Sequence, residues 1–191
     1  MDLFAGIDPG SNGGLGVLDL AGKFVMGVRW KTTKPEALVS TLQFLKGKVA
    51  LAYIELVKLH REMGVEMLLR MQSLPFYAGI WHGLFLALGV KLHQIAPMAW
   101  QHSVGLYKYK AQGKALGQEW GPMDLARSIW PQANLPNPQH DGVAAGLLIA
   151  ECARQDFLKG LIDGRMKPEK KVRKKRAGNS KIKFSPSLQG R

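Results

Sequence analysis

Residues 3–30, "LFAGIDPGSNGGLGVLDLAGKFVMGVRW", read as three strands at 3–8, 13–20 and 23–30, broken by "DPGSNGG" and "AG". Apolar runs punctuated by Gly, Pro and Asn are the signature of strands and turns. Neither connection is long enough to hold a helix, so the three strands must form an antiparallel meander. That commits the first sixth of the chain to one edge of a sheet.

The rest adds helices and two more strands. "TTKPEALVSTLQFLKG" reads as a helix with Thr33 near the cap, Pro35 and Glu36 in the first turn and Gly47 as the stop. "VALAYIEL" at 49–56 is a fourth strand whose unbroken apolar character predicts burial on both faces. Residues 64–88 read as helical in pieces, interrupted by Pro75, and "KLHQIAP" at 91–97 as a fifth strand. A short helix around Ala99 follows, then a Gly/Lys/Tyr-rich loop over 105–121, a helix over 122–130 ended by "WP", and a long helix from 141 to about 160. The expectation is an α/β protein with a mixed five-stranded sheet, a β-meander followed by αβαβα, flanked by helices. That order is the pattern of the ribonuclease H-like fold.

Composition divides the chain in two. At 191 residues and 46% hydrophobic content, one domain with a real core is expected over residues 1–163. Net charge is +13, yet residues 165–191 hold eleven Lys and Arg against one acid, Glu169, so the body is only mildly basic. Residues 164–191 are therefore expected to be a basic tail, self-repelling and unable to fold alone. Lys170, Lys171, Arg173, Lys174, Lys175 and Arg176 form its densest run. Phosphate-backbone contact, driven by counterion release, is the use such a run suits; a solubilising or targeting tail is the plainer reading. The single cysteine, Cys152, lies inside an apolar run and suggests a buried thiol in a reducing compartment. No basic leader and no bilayer-length apolar stretch is visible, so a soluble, cytoplasmic protein without a membrane partner is expected.

Three acids stand where carboxylates are costly. Asp8 ends the first strand inside "GIDPG", Glu55 lies near the end of the fourth inside "YIEL", and Asp141 opens the long apolar helix "HDGVAAGLLIAECA". A bare carboxylate among apolar neighbours costs several kcal/mol unless it is paired or holds a metal. Each also has a plain structural explanation: a turn for Asp8, a surface strand position for Glu55, and a helix N-cap for Asp141. Were the first and fourth strands neighbours, the three would meet at one sheet edge. Three hard oxygen donors suit Mg²⁺ or Mn²⁺.

Together, "GIDPGSNGGLGV", "AYIELV", "YAGIWHGLFLALGVKLHQIAPMAWQHSVGL", "MDLARSIWPQ" and "HDGVAAGLLIAECAR" resemble, in order over residues 3–155, the RuvC-like Holliday junction resolvases, particularly phage-encoded members. The resemblance implies a Mg²⁺-dependent crossover junction endodeoxyribonuclease of DNA recombination and repair. It would act as a homodimer on branched DNA, four-way junctions above all, with two metal ions per site. It assigns Asp8 to the first-strand aspartate, Glu55 to the fourth-strand glutamate and Asp141 to the first acid of the last-helix pair. In the resemblance Asp8 bridges both metals while Glu55 and Asp141 hold one each.

The second acid of that pair is missing, because Ala144 and Ala145 occupy the positions one turn on. His140 or water is the expected substitute, and Glu151, about 15 Å farther along a helix, is a poor one. Lys108, Lys110 and Lys114 in "GLYKYKAQGK" are candidates to face the scissile phosphate. Tyr107, Tyr109 and Trp120 either stack on unpaired bases or pack the loop. Gly79 and Gly83 in "GIWHG" mark a dimer surface or a close helix–sheet contact. Three other classes remain open: a junction-binding protein on a decayed nuclease core, a nuclease for hybrids or flaps, and an actin-like phosphate-loop protein. The last would need a second domain for which the chain has no room.

Overall fold

The computed structural model describes residues 2–30, 35–57, 73–135 and 141–160. Strands β1 (Leu3–Asp8), β2 (Gly14–Asp19) and β3 (Phe24–Arg29) form the expected meander, each antiparallel to the next. Helix α1 (Pro35–Leu45) then carries the chain across to β4 (Val49–Glu55), which lies parallel to β1. After α2 (Ser73–Ala87), β5 (Leu92–Ile95) adds in parallel beside β4. The spatial order β3-β2-β1-β4-β5 makes β1 the central strand.

Alternation along the strands sorts the core into two layers. Leu3, Ala5 and Ile7 of β1 and Ala52 and Ile54 of β4 pack with Trp81 and Phe85 of α2 and Leu45 of α1. Phe4, Tyr53 and Ile95 go to the opposite face, where they meet α6 (Asp141–Leu158). That helix is buried from Gly142 to Ala150 without a break, as expected for one that is apolar all round. Helices α3 (Pro97–Ser103), α4 (Leu106–Ala115) and α5 (Pro122–Ile129) pack around it through Trp100, Leu106, Met123 and Leu125.

Two expectations change. Residues 106–115 are helical rather than a loop, because Trp120 folds back onto Gly113 and stacks on Tyr109 at 4.7 Å, giving the segment an apolar side. The fifth strand stops at Ile95, since Pro97 starts α3. His140, the stretch 58–72 and the tail with Lys170, Lys171, Arg173, Lys174, Lys175 and Arg176 lie outside the described residues. No described helix is long and apolar enough to cross a membrane.

Candidate active site

Parallel pairing of β1 with β4 sets Ile7 opposite Ile54, so Asp8 and Glu55 follow side by side at the strand ends. Ile7 and Ile54 point to the α2 layer. One residue on, both acids therefore turn toward the α6 layer. Asp141 arrives there because α6 is tied to the β1–β2 turn. Gly13 bridges Gly142, and a Cβ on Gly142 would collide with the Asn12 carbonyl and the Gly13 backbone. Three acids from distant stretches of sequence thus gather at one edge of the sheet.

Their electrostatics show the crowding. Burial raises the Asp8 pKa above its ordinary 3.8, and repulsion from Asp141 adds to it, against a hydrogen bond from the Gly10 amide at 3.2 Å. Glu55 is pushed above 4.5 by burial and by Asp8, opposed by a hydrogen bond donated from Trp100. Asp141 is raised by partial burial of its carboxylate and by Asp124, while Lys110 pulls it back. Asp8 is the hub, since it is coupled to both of the others. The ion pair of Arg154 with Glu151 lies elsewhere and removes Glu151 as a substitute ligand.

Oxygen-only donors that repel one another, with Lys110 reaching only Asp141 among them, fit a hard divalent ion in chemistry. Among the described residues, however, no three His, Cys, Asp or Glu side chains stand close enough to enclose a single ion. Ala144, one of the two positions for a fourth acid, is fully buried in the α6-side core and Ala145 is 9% exposed, so a carboxylate at either would be largely cut off from water.

No protein-family model matches this chain, and neither does any curated protein. Solved structures do. "T. thermophilus RuvC in complex with Holliday junction substrate" aligns with a TM-score of 0.54 and 19% identity, over 83% of this chain and 96% of that one. "Thermus thermophilus RuvC structure" aligns with 0.53 and 20%, over the same shares. The chain has the fold of RuvC. The strand order read from the sequence is therefore the ribonuclease H-like one, in a mixed five-stranded sheet flanked by helices.

Beyond the three acids, the RuvC-like edge gains residues that sequence reasoning passed over. Trp100 of α3 donates its indole N–H to Glu55 Oε2 at 2.6 Å. Asp124, in the first turn of α5, faces Asp141 electrostatically while its Oδ2 accepts the Gly121 amide at 2.8 Å. Only its place in "GPMDLA", the third residue of a predicted helix, hinted at it. Of Lys108, Lys110 and Lys114, all exposed on α4, Lys110 is the one whose charge reaches Asp141. Tyr109 and Trp120 pack on each other, whereas Tyr107 remains 38% exposed beside His102.

Proposed function

We propose that this chain is a structure-specific endonuclease that hydrolyses phosphodiester bonds in branched DNA, four-way junctions foremost. The observation that carries it is Asp8, charge-coupled to Glu55 on one side and to Asp141 on the other, at the sheet edge of a RuvC fold. One RuvC of this fold has been seen with a Holliday junction substrate.

Asp8, Glu55 and Asp141 would hold the Mg²⁺ or Mn²⁺ ions, two per site, with His140 or water in place of the missing fourth acid. When bound, such ions supply an activated water and neutralise charge at the leaving oxygen. The chain's own residues do the rest. Burial keeps Asp8 and Glu55 short of water, so at neutral pH a bound cation would relieve their repulsion. Lys110 brings a positive charge to the Asp141 side, where a phosphate would otherwise meet only acids. Tyr107 offers an exposed ring for an unpaired base.

Two symmetric cuts call for a twofold dimer. Helix α2 offers a face for it: Phe76 and Leu86 are 65% and 77% exposed, and between them a would-be Cβ on Gly79 or Gly83 meets nothing within 4 Å beyond its own helix among the described residues. The open glycines are free for a partner helix rather than used against the sheet.

The buried Ala144 and Ala145 favour a second reading, a protein that binds junctions without cutting them. One experiment separates the two: a labelled four-way junction incubated with the protein and Mg²⁺ or Mn²⁺. Paired nicks near the crossover, abolished by Asp8→Asn while junction binding persists, support the nuclease. Binding with no cleavage under either metal leaves the binding protein.

A further inference from the structure

We propose that Arg29 grips a backbone phosphate of the bound DNA strand, about two or three nucleotides from the phosphate that meets Asp8, in a cleft along the open edge of the sheet. This rests on the branched-DNA reading above, and only on its binding half. Register places the arginine. Asp8 pairs with Gly14 and Gly14 with Arg29, so the three form one row across β1, β2 and β3 at the end of the sheet where the acids gather. Paired residues share a face, and a Cβ at Gly14 would meet Val143 of α6 at 2.9 Å, so Arg29 stands on the α6 face with Asp8.

Two strand spacings put the Asp8 and Arg29 Cα atoms about 10 Å apart. Phosphates of one strand follow each other at about 3.4 Å along a duplex axis, so that separation spans about two or three nucleotides. The cleft itself is a cavity of about 410 Å³ beside β3, the outermost strand. Arg29 and Gly27 of β3 line it together with Ala37 and Thr41 of α1 and with Ala133 and Asn134 from the turn after α5. Since α1 packs in the α2 layer and that turn in the α6 layer, the cleft is where the two layers part at the sheet edge.

Its chemistry suits an anion. Arg29 is the one charged group among the described residues that line it, so the lining has a guanidinium and no carboxylate. A guanidinium fork binds two phosphate oxygens at once. Asn134 adds an amide donor from a left-handed backbone position, at φ 45°. Arg127 holds that turn in place by donating Nε–H to the Leu135 carbonyl at 2.8 Å. Thr41 is not a third donor, since its hydroxyl goes to the Ala37 carbonyl at 2.9 Å.

The test is junction binding by the full chain in chelator, with neutral methylphosphonates replacing the backbone phosphates one at a time on either side of the crossover. One position should cost wild type about tenfold in affinity, the scale of one charge-assisted hydrogen bond, and cost Arg29→Gln nothing. Arg29→Lys, which keeps the charge without the fork, should retain part of that penalty. A purely structural role would weaken binding to every junction alike and leave the pattern of penalties intact, and that result overturns the inference. Should Arg29→Gln fail to fold, Asn134→Gly, which suits the left-handed backbone and drops only the amide, should shrink the penalty at one position; an unchanged pattern overturns the inference here too. Stabilisation of wild type but not Arg29→Gln by inorganic phosphate at constant ionic strength, with the methylphosphonate pattern intact, would assign the cleft to free phosphate and overturn it as well. Junction binding with the expected loss of penalty, but no cleavage on adding Mg²⁺ or Mn²⁺, refutes the nuclease and leaves Arg29 in its role. No junction binding at all refutes the proposed function and this inference with it.

Discussion

The backbone of Gly6 lies directly on the backbone of Gly146. A Cβ at Gly6 would collide with the Gly146 carbonyl oxygen and the Ala150 amide, and one at Gly146 would meet the Gly16 amide at 2.7 Å. This contact lets α6 lie flat against β1 and β2, and it sets the height at which Asp141 reaches Asp8. Gly6→Ala should destabilise the fold by about 3 kcal/mol, the upper range for overpacking a rigid core site. Chemical denaturation would register it as a lower midpoint with an unchanged slope. Any survivor should cut junctions poorly, since the helix must lift to admit the methyl.

Metal-free protein should carry the cost of its crowded acids as a pH dependence. Asp8 and Glu55 have folded-state pKa values above their ordinary 3.8 and 4.5, so the folded state holds protons more tightly than the unfolded chain. Stability from this source is present at low pH and is lost as the pH rises through the raised values. Asp8→Asn removes one charge and relieves Glu55. Its Tm in the presence of chelator should therefore exceed that of wild type at neutral pH, and the gap should close below about pH 3, where the carboxylates are protonated in both states. Mg²⁺ or Mn²⁺ should raise the wild-type Tm and leave Asp8→Asn nearly unmoved. A wild-type Tm that stays above that of Asp8→Asn at neutral pH without metal would contradict the crowding argument.

The meander and the crossover to β4 were readable because each follows from short-range pattern, whereas the β1–β4 pairing that sets Asp8 beside Glu55 stood in the sequence only as a condition. Alternation marks the strands, glycine marks the turns, and a parallel pair needs the helix that "KPEALVSTLQFL" supplies. Helix α4 was not readable, since "LYKYKAQGKA" has little apolar periodicity of its own; its buried side is made by Trp120 from the following turn. The surroundings of Asp141 were hidden for a related reason. One helical turn along α6 points into the core, so local spacing led to Ala144 and Ala145, while Asp124 and Lys110 come to Asp141 from other helices. Trp100 was passed over because nothing in "PMAWQHS" shows which side of the sheet its indole will face.

The exposed face of α2 predicts a dimer that charge should split. Phe76→Lys together with Leu86→Lys places two cations on a surface that now carries exposed apolar groups, with no core packing to lose. Light scattering should report the wild type at twice the chain mass and the double variant at once that mass. On a four-way junction the variant should leave single, uncoupled nicks where the wild type leaves pairs. A monomeric wild type would remove α2 from the argument.

Finally, the basic tail and Lys110 should separate by salt dependence. Residues 165–191 carry eleven Lys and Arg against one acid, and phosphate neutralisation releases counterions roughly in proportion to the contacts made. If about half of those cations meet phosphates, deleting the segment should lower the slope of log affinity against log salt by roughly 5. Lys110→Ala should lower it by about 1 and reduce cleavage more than binding, because its charge reaches Asp141. Fluorescence anisotropy of a labelled junction across a KCl series measures both. An unchanged slope after the deletion would leave junction affinity to the folded domain alone, where Lys108, Lys110 and Lys114 of α4 are exposed and the charge of Lys110 reaches Asp141.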